Sequence, residues 1–359
     1  MSSLVLPPGS RRDAGAVAPI ALDSPSSAAA ARIPLPLLVT GVAGVAGLAA
    51  FRYFQHRYPG QVVGIRQADN DRLTGDGIVA CDAEDRAGLT RLFDRHAFAS
   101  VLNCAGNCAL KPCELDPALA WRTNVEGVRN LLEVIDGADA RLVHLSIDLV
   151  FSGARDGDYQ ERDLTDPVTM YGKTMVSGEE LVQWTRHDAC VLRISLPMGE
   201  SFNGHAGAID WIASRFRKGR PATLYFDEVR TPTYVECLNR LCEAALGRPL
   251  TGLFHAGGPR RLSLFQIAQV VNRVGGFPSK LLMGCMRREA GPMPPRAGNV
   301  AMDSSRLAAA LGYQPFDPWP ADEALVPTHR DWHHERDSGE PGSIERLAEV
   351  LYRNPRRAP

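Results

Sequence analysis

The 359-residue chain has no excess of charge of either sign. Forty Lys and Arg stand against 41 Asp and Glu, leaving a formal net charge of −1. No long-range field therefore favours nucleic acid or an anionic membrane as partner. Eight cysteines are too few for a disulfide scaffold, and no two form a Cys-x-x-Cys pair. That pattern points to reduced thiols in a cytoplasmic compartment. Cys104, Cys108 and Cys113 lie close together but lack zinc spacing and a neighbouring histidine. His329, His333 and His334 lack both a distant third ligand and the glutamate of a His-Glu-x-x-His motif, so they read as a solvated helix end. No metal is expected. Internal repeats are not evident. Residues 1–32 contain no aromatic side chain and are rich in Ala, Ser, Pro and Gly. They offer too little apolar surface to offset ordering entropy and read as a disordered leader. Arg11 and Arg12 are followed by Asp13 and no apolar run, which is unlike a cleavable signal.

What is present suits a sizeable core: 45% of residues are hydrophobic and 23% charged. The length allows one large α/β domain or two domains. Ile33 to Phe51 are 19 consecutive uncharged residues between Arg32 and Arg52, the length of a membrane span. Pro34, Pro36 and the glycines at 41, 44 and 47 favour a different parse. That parse is a buried strand at 35–39, a glycine turn, and an apolar helix reaching Arg57. The spanning alternative predicts that the chain fractionates with membranes.

The turn reads Thr-Gly-x-x-Gly-x-x-Gly directly after a strand and at the start of a helix. Gly41 permits the tight turn, Gly44 lets the backbone approach a pyrophosphate at the helix N-terminus, and Gly47 allows close helix–strand packing. A second strand, QVVGIRQ, follows and ends at Arg66. A base there accommodates the 2′-phosphate of NADP, whereas an acid would select NAD; Asp69 and Asp71 nearby keep NAD open. A third strand ends at Asp82, placed to reach the adenine edge. A fourth ends in Asn103, Cys104, Ala105 and Gly106, small residues that leave room for ribose and nicotinamide. A helix over 117–135 carries Asn124. The strand RLVHLSIDLVF, the helix YGKTMVSGEELVQW and the strand ACVLRISLP complete a strict βα alternation. This is the pattern of a Rossmann-like, doubly wound parallel sheet in an α/β protein.

These pieces continue in order with LSIDLVFSG (145–153), YQERDLTDPVTMYGKTMVSGEE (159–180), DEVRTPTY (227–234) and PRAGNVAMD (295–303). Over residues 35–315 the chain resembles the extended short-chain dehydrogenase/reductase superfamily, in its dTDP-4-dehydrorhamnose reductase-like, sugar nucleotide-binding group. The resemblance implies an NAD(P)-binding Rossmann domain over 33–195 and a smaller α+β substrate-binding region over 196–325, interleaved with the first. A tail with a short helix occupies 326–359. It also implies a nucleotide sugar as small-molecule partner, NAD(P)-dependent reduction of a 4-keto-6-deoxysugar, and a homodimer as an open question. Asp148, Phe202, Asn203, His205, Arg230 and Thr231 fall where that group places its substrate contacts. The beta subunit of methionine adenosyltransferase resembles the same group and is a regulatory partner.

The group's chemistry needs a tyrosine, a lysine four residues later, and a Ser or Thr hydroxyl on the preceding strand. Tyr171 matches the first. The lysine position holds Met175, and the hydroxyl position holds Ile147. Lys173 cannot substitute, because at ~100° per residue it points about 200° away from Tyr171. Ser146 lies one place off, on the opposite face of its strand. The expectation is a degenerate triad: cofactor and sugar sites kept, carbonyl reduction weak or absent. A non-catalytic NAD(P)-binding or regulatory protein of the same fold is the alternative.

Overall fold

A computed structural model describes residues 32–353 apart from 205–206, 292 and 336–341. The expected leader, up to residue 31, and His205 lie outside the described residues. Seven parallel strands form the central sheet: β1 Leu37–Val39, β2 Val62–Arg66, β3 Ile78–Ala80, β4 Ser100–Asn103, β5 Arg141–Ile147, β6 Cys190–Ile194 and β7 Gly252–Ala256. Their spatial order is β7-β6-β5-β4-β1-β2-β3. Strands buried on both faces explain the near-continuous apolar runs seen in sequence. Along β1, Leu37 and Val39 enter one core and Leu38 the other; Val101 and Leu102 of β4 divide in the same way. The period-2 pleat thus feeds two helical layers from one sheet.

The apolar stretch 33–51 folds as strand, turn and helix. Helix α1, Val45–Arg57, is 13 residues long, and no helix among the described residues is long and apolar enough to cross a membrane. Helices α2 (Arg86–His96) and α3 (Gly127–Asp136) pack on the second face. The helix expected over 117–135 is interrupted. Pro117–Trp121 is α-helical, Arg122–Glu126 forms a π turn, and α3 follows. Such turns insert one extra residue and re-aim side chains, here around Asn124. Helix α4, Met170–Thr185, leads into β6.

The segment GLFHA, read from sequence as part of the second region, is β7. It pairs with β6 along Gly252–Ala256 and so widens the first domain's sheet. The second region is built instead on three two-stranded pairings, at 197–198 with 233–234, 229–230 with 262–263, and 222–225 with 282–285. Helices α5 (Ala208–Arg217), α6 (Val235–Gly247) and α7 (Leu264–Val274) support them. A Ser263–Gln266 capping box starts α7. His333, expected at a solvated helix end, is buried in a short turn against Gln269 of α7. Trp332 beside it is an apolar anchor that draws the turn inward, with Arg273 stacked on its ring.

One buried ion pair ties the sheet to α4. The Arg193 guanidinium on β6 donates to both oxygens of Glu179 (Nη2–Oε2 2.7 Å), and Ser146 Oγ donates to the same carboxylate. Removing one member leaves the other charged and desolvated. Glu179→Ala is therefore expected to cost about 3–5 kcal/mol, read as a fall in the denaturation midpoint. Ser146→Ala is expected to cost about 1 kcal/mol.

Candidate functional site

The strand order reverses between β1 and β4, and in doubly wound sheets the crevice beyond the strand ends at that reversal is where ligands sit. The glycine turn occupies that place. Gly41 is left-handed, at φ +67°, and a Cβ there would meet the Cys104 carbonyl oxygen at 2.5 Å. A Cβ on Gly47 would collide with the Gly41 carbonyl. The protein's own packing thus demands both glycines. Gly44 differs: the nearest atom to a Cβ there is Gly41 O at 3.5 Å, so the protein's own packing does not demand a glycine at this position. Gly44 caps α1 without any side-chain hydrogen bond, and the first turn holds no acid. The positive end of the helix macrodipole thus has no acid of its own first turn beside it, an arrangement of the kind that suits a phosphate.

Beneath the turn runs a buried polar chain. Thr40 Oγ1 donates to Asn103 Oδ1 (2.5 Å) and accepts from the N–H groups of Cys104 and Ala105 (both 3.0 Å). Asn103 Nδ2 lies 2.9 Å from His144 Nδ1. Burial pushes the His144 pKa down to about 4, so the ring is neutral at pH 7 and Nδ1 can accept. Sequence reasoning placed Asn103 facing the cofactor. The structure instead spends its amide between β1 and β5, because an exposed-looking polar residue at a strand end is buried here by two neighbouring strands. Gly106, farther along, is exposed and lies near the Met175 sulfur.

Arg66 and Asp82 both bind the backbone of the loop that follows β2. Arg66 Nη1 donates to the Gln67 and Ala68 carbonyls (2.8 and 3.2 Å), while Asp82 Oδ1 accepts from Ala68 N (2.9 Å). After β6 the chain crosses over the glycine turn, where Phe202 N donates to Ala43 O (3.3 Å). Asn203 is exposed and lines an open hollow with Gly204, Ser214, Arg217 and Lys218.

Tyr171 stands on the first turn of α4, which is capped by Thr169 and by Glu114 Oε1 accepting from Met170 N (2.6 Å). The ring is 6% exposed and packs with Met175, Leu149, Val150 and Cys113; Ile147 flanks the same cluster. Burial pushes the phenol's pKa well above its ordinary value; the Cys108 thiol and the Asp148 carboxylate add to the rise, and the Arg230 guanidinium opposes it. Met175 shares the buried face of α4 with Tyr171, whereas Lys173 is exposed on the other side. Ser146 points to Glu179, away from Tyr171. Both follow from the helix and strand periods read in sequence.

Asp148 and Arg230 were expected to face a sugar nucleotide. In the structure the two are buried and bound to each other, with Arg230 Nε–Asp148 Oδ2 at 2.6 Å and a second bond from Nη2 to Oδ1. Ser195 Oγ donates to Asp148 Oδ2 (2.6 Å) and accepts from Thr231 N (3.1 Å). Thr231 is likewise buried, packed against Gly257. A buried carboxylate needs a counter-charge, and the turn after β5 finds it in the short strand 229–230. Ser195, Thr40 and His144 were not singled out from sequence; Thr40 and Ser195 directly follow strand ends, which hinted at them, whereas His144 lies in the middle of β5. No group of three His, Cys, Asp or Glu able to hold a metal occurs among the described residues.

The geometry has counterparts among known proteins. A Mycolicibacterium smegmatis protein named dTDP-4-dehydrorhamnose reductase is 30% identical over 271 residues, covering 72% of this chain and 80% of that one. Methionine adenosyltransferase 2 subunit beta of Xenopus laevis is 26% identical over 276 residues, covering 75% of this chain and 80% of its own length. The crystal structure of dTDP-4-dehydrorhamnose reductase from Bacillus anthracis, in complex with NADP, superposes with a TM-score of 0.65 at 18% identity, over 88% of this chain and 98% of that one. At that identity the superposition speaks for the fold alone. The model of the family described as RmlD substrate binding domain matches residues 35–325, from the opening strand past the 295–303 run. With the glycine turn, the seven-stranded order and Tyr171 all inside that match, the chain belongs to the RmlD substrate binding domain family.

Proposed function

We propose that the chain binds NADP(H) across the β1–β4 crevice and reduces a nucleotide-linked 4-keto-6-deoxysugar slowly, with Tyr171 as its one remaining residue of the usual three. The observation that carries this reading is the glycine turn opening α1, with room at Gly44 and no acid in the first turn, together with a buried tyrosine on the first turn of α4. Arg66 at the end of β2 suits a 2′-phosphate, which favours NADP over NAD. Gly41, Gly44 and Gly47 shape the pyrophosphate site, Arg66 and Asp82 the adenosine end, and Ala105 and Gly106 the nicotinamide end. Phe202 and Asn203 overhang the crevice from the substrate side.

When bound, the nicotinamide supplies hydride. The chain's own part is to hold a proton at Tyr171 Oη. A phenol whose pKa is raised by burial stays protonated at neutral pH, so it is in the form that can donate to a developing alkoxide. The reverse reaction needs the phenolate, which this environment disfavours.

Titration calorimetry tests the first half, with tighter binding of NADPH than of NADH expected. NADPH oxidation with a 4-keto-6-deoxysugar nucleotide tests the second. Slow turnover that falls by about 10²–10⁴-fold in Tyr171→Phe is expected. Failure to bind either dinucleotide overturns the reading. Met175 and Ile147 favour a second reading, a non-catalytic NADP(H)-binding or regulatory subunit, which matches the Xenopus laevis relative's description as a subunit. Tight NADPH binding with no oxidation in the wild type decides for it.

A further inference from the structure

The segment that follows β6 grips the glycine turn from outside. Phe202 N donates to Ala43 O within the turn (3.3 Å). Val45, the first residue of α1, is held between two glycines of the same segment. A Cβ on Gly199 would meet Val45 Cγ1 at 3.0 Å, and one on Gly207 would meet Val45 Cγ2 at 2.7 Å. Gly199 is also pressed against Val235 at the start of α6, where a Cβ would come within 2.6 Å of Cγ1. Ser201 and Asp210 staple the two arms of this grip together. Asp210 Oδ2 accepts from Ser201 N (2.7 Å) and from Ser201 Oγ (2.5 Å), and both residues are 4% exposed. Asp210 stands in the first turn of α5, where the positive end of that helix favours a carboxylate. Two charge-assisted hydrogen bonds, shielded from water, thus fix the segment in one place.

We propose that Asp210, acting through Ser201, is a positioning residue for the dinucleotide: it holds the segment 199–204 against Ala43 and Val45 and so keeps the phosphate-binding turn in its binding shape. The inference rests on the reading of that turn as the pyrophosphate site. Ala43 O, the acceptor of the Phe202 N–H, lies between Gly41 and Gly44. The Val45 N–H belongs to the first turn of α1, whose donors have no intrahelical partner and are the groups a phosphate would use. A turn released on its outer side samples other shapes, and apparent affinity falls with the fraction of chains that leave the competent one. Tyr171 belongs to a separate cluster, with Leu149 to Phe151 and Val300, so the staple bears on cofactor binding and leaves the proton donor in place.

The test compares the full-length chain with Asp210→Ala, which removes the acceptor, and Asp210→Asn, whose side-chain oxygen still accepts from Ser201. Hydrogen exchange of the peptide over 199–204, read by mass spectrometry without ligand, follows the grip on the turn. Titration calorimetry with NADPH follows binding. In Asp210→Ala the peptide is expected to exchange faster and the NADPH Kd to rise about 10-fold, as for a turn that spends roughly a tenth of its time in the competent shape. Asp210→Asn is expected to restore most of both. Ser201→Ala loses the hydroxyl bond but keeps the N–H one, and should move both readouts the same way by about threefold. It decides by itself if Asp210→Ala fails to fold. A merely structural staple lowers the melting temperature of Asp210→Ala while NADPH affinity, or exchange over 199–204, stays as in the wild type. That outcome, or an effect that Asp210→Asn does not relieve, overturns the proposal. A wild type that binds no NADPH overturns the dinucleotide reading and this inference with it, whereas wild-type binding matched by Asp210→Ala overturns this inference alone.

Discussion

The double variant Ile147→Thr, Met175→Lys is expected to turn over a 4-keto-6-deoxysugar nucleotide with NADPH about 10²–10⁴-fold faster than the natural chain. The argument is geometric. Met175 and Tyr171 share the buried side of α4, so a lysine at 175 brings an ammonium to the phenol that Lys173, on the exposed side, cannot. An added cation lowers the phenol's pKa and makes it a stronger acid toward the developing alkoxide. Ile147 ends β5 half-buried beside the tyrosine's cluster, and a β-branched threonine suits the same strand geometry while adding a hydroxyl donor. A lost donor of this kind typically costs about 10²–10³ in rate, so its return carries a comparable gain. The two changes act on one transition state and are not expected to multiply cleanly. The single variants should each give less than the pair, with Met175→Lys limited by the cost of burying its charge. If kcat stays at the wild-type level in all three while NADPH still binds, the chemistry is blocked somewhere other than at positions 147 and 175.

Much of this site was readable before any fold. The glycine spacing located the turn because two of the three glycines answer to packing that no other residue permits. The helical period put Lys173 on the wrong side and Met175 on the right one, and the strand period turned Ser146 away. These are local rules with fixed geometry, and the structure follows them. What stayed hidden depended on contacts between distant segments. Asp148 and Arg230 are 82 residues apart, and nothing in either segment says that they neutralise each other. Asn103 looked like a ligand contact because it ends a strand, yet Thr40 and His144 claim its amide from both sides. The strand at 252–256 carries no label saying which sheet it joins, and its pairing with β6 is a fact of tertiary packing. His333 read as solvated because its sequence neighbours are polar, while Gln269, 64 residues away, buries it.

Two alanine substitutions three residues apart are expected to fail in opposite ways. Gly47→Ala places a methyl group on the Gly41 carbonyl, a collision with backbone that no side-chain motion relieves. Overpacking of this kind costs about 1–3 kcal/mol, so the variant should melt earlier and bind NADPH poorly because the turn itself is displaced. Gly44→Ala meets nothing closer than 3.5 Å, and its φ of −82° is one that alanine adopts readily. Its fold should be as stable as the wild type's or slightly more so, by about 0.4–1 kcal/mol through the unfolded chain. Its methyl group, however, fills the room that the proposed pyrophosphate needs at the helix N-terminus. Losing even one charge-assisted hydrogen bond, worth about 1.5–3 kcal/mol, lowers affinity by about 10–100-fold. Melting curves and NADPH calorimetry on the two variants separate stability from binding. A Gly44→Ala chain that binds NADPH as tightly as the wild type would mean that the phosphates lie elsewhere, and the reading of the β1–β4 crevice as the dinucleotide site would fall with it.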